Sequence, residues 1–100
     1  MIKHIVVWKL HDFAEGKTKQ ENAFRMKEWL QDLELKIPDI HFLEAGININ
    51  PADDAFDVVL FSEFIDIAAL ARYQNHPAHI KLKAMIQNLR SEKKVVDYEV

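Results

Sequence analysis

Two imidazoles, a phenol and a proline fall within the eight residues Arg72-Tyr73-Gln74-Asn75-His76-Pro77-Ala78-His79. A further imidazole, His4, stands near the start of the chain. Imidazole exchanges protons close to neutral pH, which suits a general acid or base. A phenol can donate its hydroxyl to the oxygen of a developing enolate. Brought together, these groups would do cofactor-free acid–base chemistry on a carbonyl compound. Each also has a plainer use. His4 could be a core histidine satisfied by one hydrogen bond. Tyr73 could be a core ring with a solvated tip. His79 could cap or pack against a helix. His76 precedes Pro77, so its expected use is to shape an extended turn into the next helix.

The elements that must position these groups follow from hydropathy. Ile2-Lys3-His4-Ile5-Val6-Val7-Trp8-Lys9-Leu10 is β-branched and aromatic and reads as a strand. Ile2, His4, Val6, Trp8 and Leu10 share one face, and Ile5 and Val7 the other. Asp12 to Lys17 reads as a polar connection. From Thr18 to about Lys36, Ala23, Met26, Leu30, Leu33 and Ile37 recur at helical steps. Thr18 and Glu21 form a capping-box pattern, and Pro38 stops the helix. Ile40 to Asn48 and Phe56 to Phe64 read as strands around a turn-rich loop in which Asp53, Asp54 and Asp57 are turn acceptors.

Asp66 is the expected N-cap of a helix to about Gln74, and Pro77 opens another to about Arg90. Lys94 to Val100 reads as the last strand. The order β-α-β-β-α-β is the split βαβ pattern of a ferredoxin-like α+β sandwich, with helices on one sheet face. The other face carries Ile5, Val7, Val59 and Phe61, so a second copy is expected to cover it as a homodimer.

The residues of 1–100 fit one domain, 49% apolar and 29% charged. A net charge of -3 with no basic block argues against nucleic acid. No cysteine is present, which excludes thiolate chemistry. With no apolar run near membrane length and no separate signal core, the default expectation is a cytoplasmic protein. No glycine-rich phosphate loop exists, so no nucleotide cofactor is expected. Metal is not expected either, because zinc wants three or four ligands and no carboxylate cluster accompanies the histidines. Ser62 and Ser91 lack a nucleophile motif.

Several segments together resemble the stress-responsive A/B barrel, or Dabb, family. They are His4 to Leu10, Ile37-Pro38-Asp39-Ile40, Ala45-Gly46, Asp57 to Phe64, Tyr73 to His79, and Val95-Val96-Asp97-Tyr98. The resemblance implies a dimeric α/β barrel. One branch of the family, similar to olivetolic acid cyclase, closes a linear polyketide by aldol chemistry without a cofactor. That branch implies catalytic roles for His4, Tyr73 and His79 and a lyase- or cyclase-like activity. Its strand-three histidine is replaced here by Val58. Trp8, Val58 and Leu60 are the expected apolar walls of a substrate pocket between sheet and helices. The alternative is a non-catalytic, stress-associated or ligand-binding homodimer with structural histidines. A third option, kinship with cofactor-independent monooxygenases, rests on the fold alone.

Overall fold

The computed structural model describes all 100 residues. The elements are β1 (Ile2–Leu10), β2 (Phe13–Ala14), β3 (Lys17–Thr18), α1 (Lys19–Lys36), β4 (Phe42–Ile47), β5 (Val58–Phe64), α2 (Ile67–Asn75), α3 (Pro77–Gln87) and β6 (Arg90–Glu99). β4, β5, β1 and β6 form an antiparallel sheet in that order. This is the ferredoxin-like α+β fold expected from the element order.

β1 alternates strictly between buried and half-buried positions. Its inward row, Ile2, His4, Val6, Trp8 and Leu10, meets Leu60, Val58 and Phe64 of β5 and the inner faces of the helices. Fully burying a Val, Leu or Phe side chain contributes about 1.5–3 kcal/mol, so this shared core drives the fold. α1 begins at Thr18, whose hydroxyl accepts from the Glu21 N–H at 3.2 Å while Glu21 accepts from the Thr18 N–H at 3.0 Å. Ile37 ends α1 just before Pro38.

The structure differs from the sequence expectations in two places. The connection before α1 contains a small hairpin, β2–β3, turned by Glu15 (φ 54°) and Gly16 (φ 73°). The buried Asn22 holds it by donating to the Ala14 carbonyl at 3.1 Å. Strands of two residues carry no periodicity to read. At the other end, α3 stops at Gln87 rather than Arg90, and β6 begins at Arg90 rather than Lys94. The polar run Arg90-Ser91-Glu92-Lys93 hides a strand because β6 lies at the sheet edge, where most of its positions meet solvent.

The helices cover the sheet unevenly. α1 packs over β4 and β5, whereas α3 packs chiefly on α1 and α2. The space left between α3 and the β1–β6 half of the sheet becomes the cavity described next.

Candidate functional site

A cavity of about 450 Å³ lies between the helices and β1–β6. Val6, Trp8, Leu30, Leu33, Leu60 and Leu82 are among its apolar walls, and His4, Tyr73 and His79 also line it. The residues expected to do chemistry are therefore brought together around one space. Trp8 and Leu60 are walls as expected. Val58 is not. It is buried opposite Trp8 on β5, the strand beneath α1, outside the cavity lining.

His4 is 4% exposed. The alternation of β1 turns it inward, and the register of β6 sets Asp97 opposite it. His4 Nδ1 is hydrogen-bonded to the Asp97 carboxylate. The carboxylate accepts, so Nδ1 carries the hydrogen and Nε2 is the remaining ring nitrogen. The fully buried Ser62 hydroxyl donates to the His4 carbonyl at 3.1 Å. Sequence reasoning missed Asp97. Its partner lies at the opposite end of the chain, and only the pairing of the two terminal strands unites them.

Tyr73 sits in the last turns of α2 and is 1% exposed. Its ring is 4.8 Å from the Phe64 ring, 6.1 Å from His4 and 4.6 Å from His79, centroid to centroid. Burial pushes the phenol above its ordinary range, so it stays protonated as a donor.

His76 ends α2 and caps α3. Its N–H donates to the Tyr73 carbonyl at 3.1 Å, and its Nδ1 accepts from the Ala78 N–H at 3.0 Å. His76 therefore shapes the turn and does not line the cavity. The break at His76-Pro77 lets α3 start in a new direction and swings His79 back toward α2. His79 Nδ1 donates to the Gln74 carbonyl at 3.1 Å, one of the carbonyls that the end of α2 leaves free. Burial holds the His79 imidazole below its ordinary range, with the nearby His4, Lys83 and Lys93 acting in the same direction and the Gln74 bond opposing.

The polar tips share a further property. Tyr73 Oη, His4 Nε2 and His79 Nε2 make no hydrogen bond within the protein. Yet no buried side-chain nitrogen or oxygen lacks a partner. For the two nearly enclosed residues, His4 and Tyr73, the free polar atom must therefore open to the cavity. A donor and two acceptors converge on an apolar space, the usual form of a small-molecule site. No group of three or more His, Cys, Asp or Glu residues is placed to hold a metal ion.

The His79 shift has a pH consequence. Its folded-state value lies below the ordinary 6.5, so the unfolded chain binds this proton more readily. Above that range the residue is neutral in both states and costs nothing. As pH falls through it, the folded state loses stability relative to the unfolded. Urea midpoints measured from about pH 8 down to about pH 5 should fall less steeply in a His79→Gln variant than in the wild type. Parallel curves would contradict this origin of the shift.

Comparison with known proteins agrees with the architecture. The profile of the Stress Responsive A/B Barrel Domain family matches residues 2–100. An uncharacterised protein of Streptomyces coelicolor is 36% identical over 80 residues, 79% of each chain. A dimeric protein of unknown function and ferredoxin-like fold from Bacteroides fragilis superposes with a TM-score of 0.86 at 31% identity, covering 99% of this chain and 95% of that one. A hydroxynitrile lyase from Passiflora edulis superposes with a TM-score of 0.80 at 16% identity, covering 99% and 92%, a likeness of fold alone. With the family pattern running from the first strand to the last, the chain belongs to the stress-responsive A/B barrel (Dabb) domain family.

Proposed function

We propose that this chain binds a carbonyl-rich or aromatic small molecule and performs cofactor-free acid–base chemistry on it, of the aldol or cyclase-like kind. The observation that carries this reading is the convergence of His4, Tyr73 and His79 on one apolar cavity. In it, His4 Nε2 takes a proton from the carbon beside a carbonyl. The Asp97 carboxylate on the far side of the ring holds the needed tautomer and offsets the positive charge that forms. The electron pair moves to the carbonyl oxygen, where the Tyr73 hydroxyl donates a hydrogen bond to the enolate. Neutral His79 accepts a hydrogen bond from a substrate hydroxyl at Nε2, and the protonated His4 returns the proton to the product. Trp8 and Leu60 hold the apolar body.

The active unit in this proposal is a homodimer. The outer sheet face carries Ile5, Val7, Phe61, Val59 and Val96, the last two 36% and 58% exposed. Phe42 and Tyr98 extend the patch. A continuous apolar face of this kind favours a covering partner. The related Bacteroides fragilis protein, 31% identical, is dimeric, which supports a second copy as the cover. No helix is long and apolar enough to cross a membrane.

Two experiments test these statements. Deuterium exchange at the benzylic carbon of phenylacetone and phenylpyruvate, followed by proton NMR, should run faster with the protein than in buffer. His4→Gln, Tyr73→Phe and His79→Ala should each cut that acceleration by about a hundredfold or more. Exchange of both ketones at the buffer rate by folded wild-type protein would favour a non-catalytic dimer with structural histidines. In sedimentation velocity, the wild type should run at twice the 11.7 kDa chain mass, and Ile5→Glu at the chain mass with its circular dichroism unchanged. A wild type that sediments as a single chain would refute the dimer.

A further inference from the structure

The cavity has a second, differently charged end. Arg90 and Lys93 of β6 and Lys83 of α3 line it, and its lining contains no aspartate or glutamate. None of these three cations makes an ion pair elsewhere in the protein. This happens in a chain whose net charge is -3, so the cluster does not follow from composition.

The backbone is built to make it. Arg90 and Lys93 are three residues apart, and a regular strand would send them to opposite faces. The register of β6 against β1 shifts between Lys9 and Leu10, where Glu92 opposes Lys9 but Arg90 opposes Leu10. Ser91 is the extra residue of this bulge, and its hydroxyl donates to the Lys9 carbonyl at 3.2 Å. The bulge turns Arg90 to the inward face that already holds Lys93, opposite Trp8. Burial holds the Lys93 ammonium below its usual range, with Lys83 and Arg90 adding repulsion. Unpaired cations gathered against one another and against an apolar wall are costly unless an anion joins them.

Along β1 this end lies at Trp8 and Leu10, whereas the imidazole end lies at His4. Trp8 lies four residue steps along the strand from His4, which is about 13 Å. We propose that the cavity takes an elongated amphiphile whose anionic head, a carboxylate or a phosphate, is held by Arg90, Lys93 and Lys83, and whose other end reaches His4, Tyr73 and His79. The apolar body lies along Val6, Trp8 and Leu33. This inference rests on the small-molecule reading above and adds the charge and shape of the molecule.

The test uses the full chain and three matched probes, 4-pentylbenzoate, 4-pentylphenyl phosphate and the neutral 4-pentylbenzamide, titrated by calorimetry. At least one anion should bind about tenfold or more tightly than the amide, a preference that weakens as salt rises from about 0.05 to 0.5 M. Whether the carboxylate or the phosphate leads tells which head group the site fits. The substitutions Arg90→Gln and Lys93→Gln are at partly exposed positions, and together they should remove the preference while leaving amide binding in place. Equal binding of anions and amide overturns the anionic head, and a preference that survives both substitutions overturns its placement against Arg90 and Lys93; either leaves the pocket standing. Failure of all three probes to bind the wild type overturns the pocket reading and this inference with it.

Discussion

Everything at the site depends on one constraint, the two-residue alternation of β1. That alternation drives Ile2, Val6, Trp8 and Leu10 into the core and takes His4 with them. An imidazole in an apolar row needs a partner, and β6 provides it by setting Asp97 directly across the ladder. A shift of one residue in the β1–β6 register would move Asp97 to the other face and leave His4 without it. The pairing of the chain's two ends thus fixes both the sheet and the orientation of one histidine. The Ser62 hydroxyl on the His4 carbonyl pins the same residue from β5.

The second organising device is the interrupted helix. A continuous helix through Tyr73 and His79 would place them, six residues apart, on different faces. The cap at His76 and the ring of Pro77 restart the helix, so the two rings come within 4.6 Å, centroid to centroid. The same restart makes α3 pack on α1 and α2 and stand off from β6, which leaves the cavity open. The site is therefore a consequence of incomplete coverage of the sheet, and its walls are core residues. Its fold is shared by proteins of unknown function and by a hydroxynitrile lyase, so the architecture alone does not specify an activity.

Much of this was legible in the amino-acid sequence where local physics dominates. Pro38 and Pro77, the Thr18–Glu21 capping box and the Asp66 cap mark the helices, and the alternation of β1 places His4 on the inward face. His76 reads correctly as a turn residue because Pro77 follows it. What escaped the sequence depends on contacts between distant segments. Asp97 meets His4 only through strand pairing. Arg90 reaches the cavity only through the bulge at Ser91, and the polar start of β6 looked like the end of a helix. Val58 was placed on the right face of the right strand, yet the cavity opens over β1 and β6 and passes it by. Alternation tells which face a residue takes but not which part of that face the helices leave uncovered.

The proposed site requires that His4 and His79 look into one shared, ligand-accessible space. The direct measurement is a side-chain nitrogen NMR titration of the wild-type protein with β-dicarbonyl and phenolic compounds. Nε2 of His4 and Nε2 of His79 should shift together and saturate at the same ligand concentration, while His76, committed to its helix cap, stays still. Silence at both residues in the folded protein, or a response confined to His76, would contradict it.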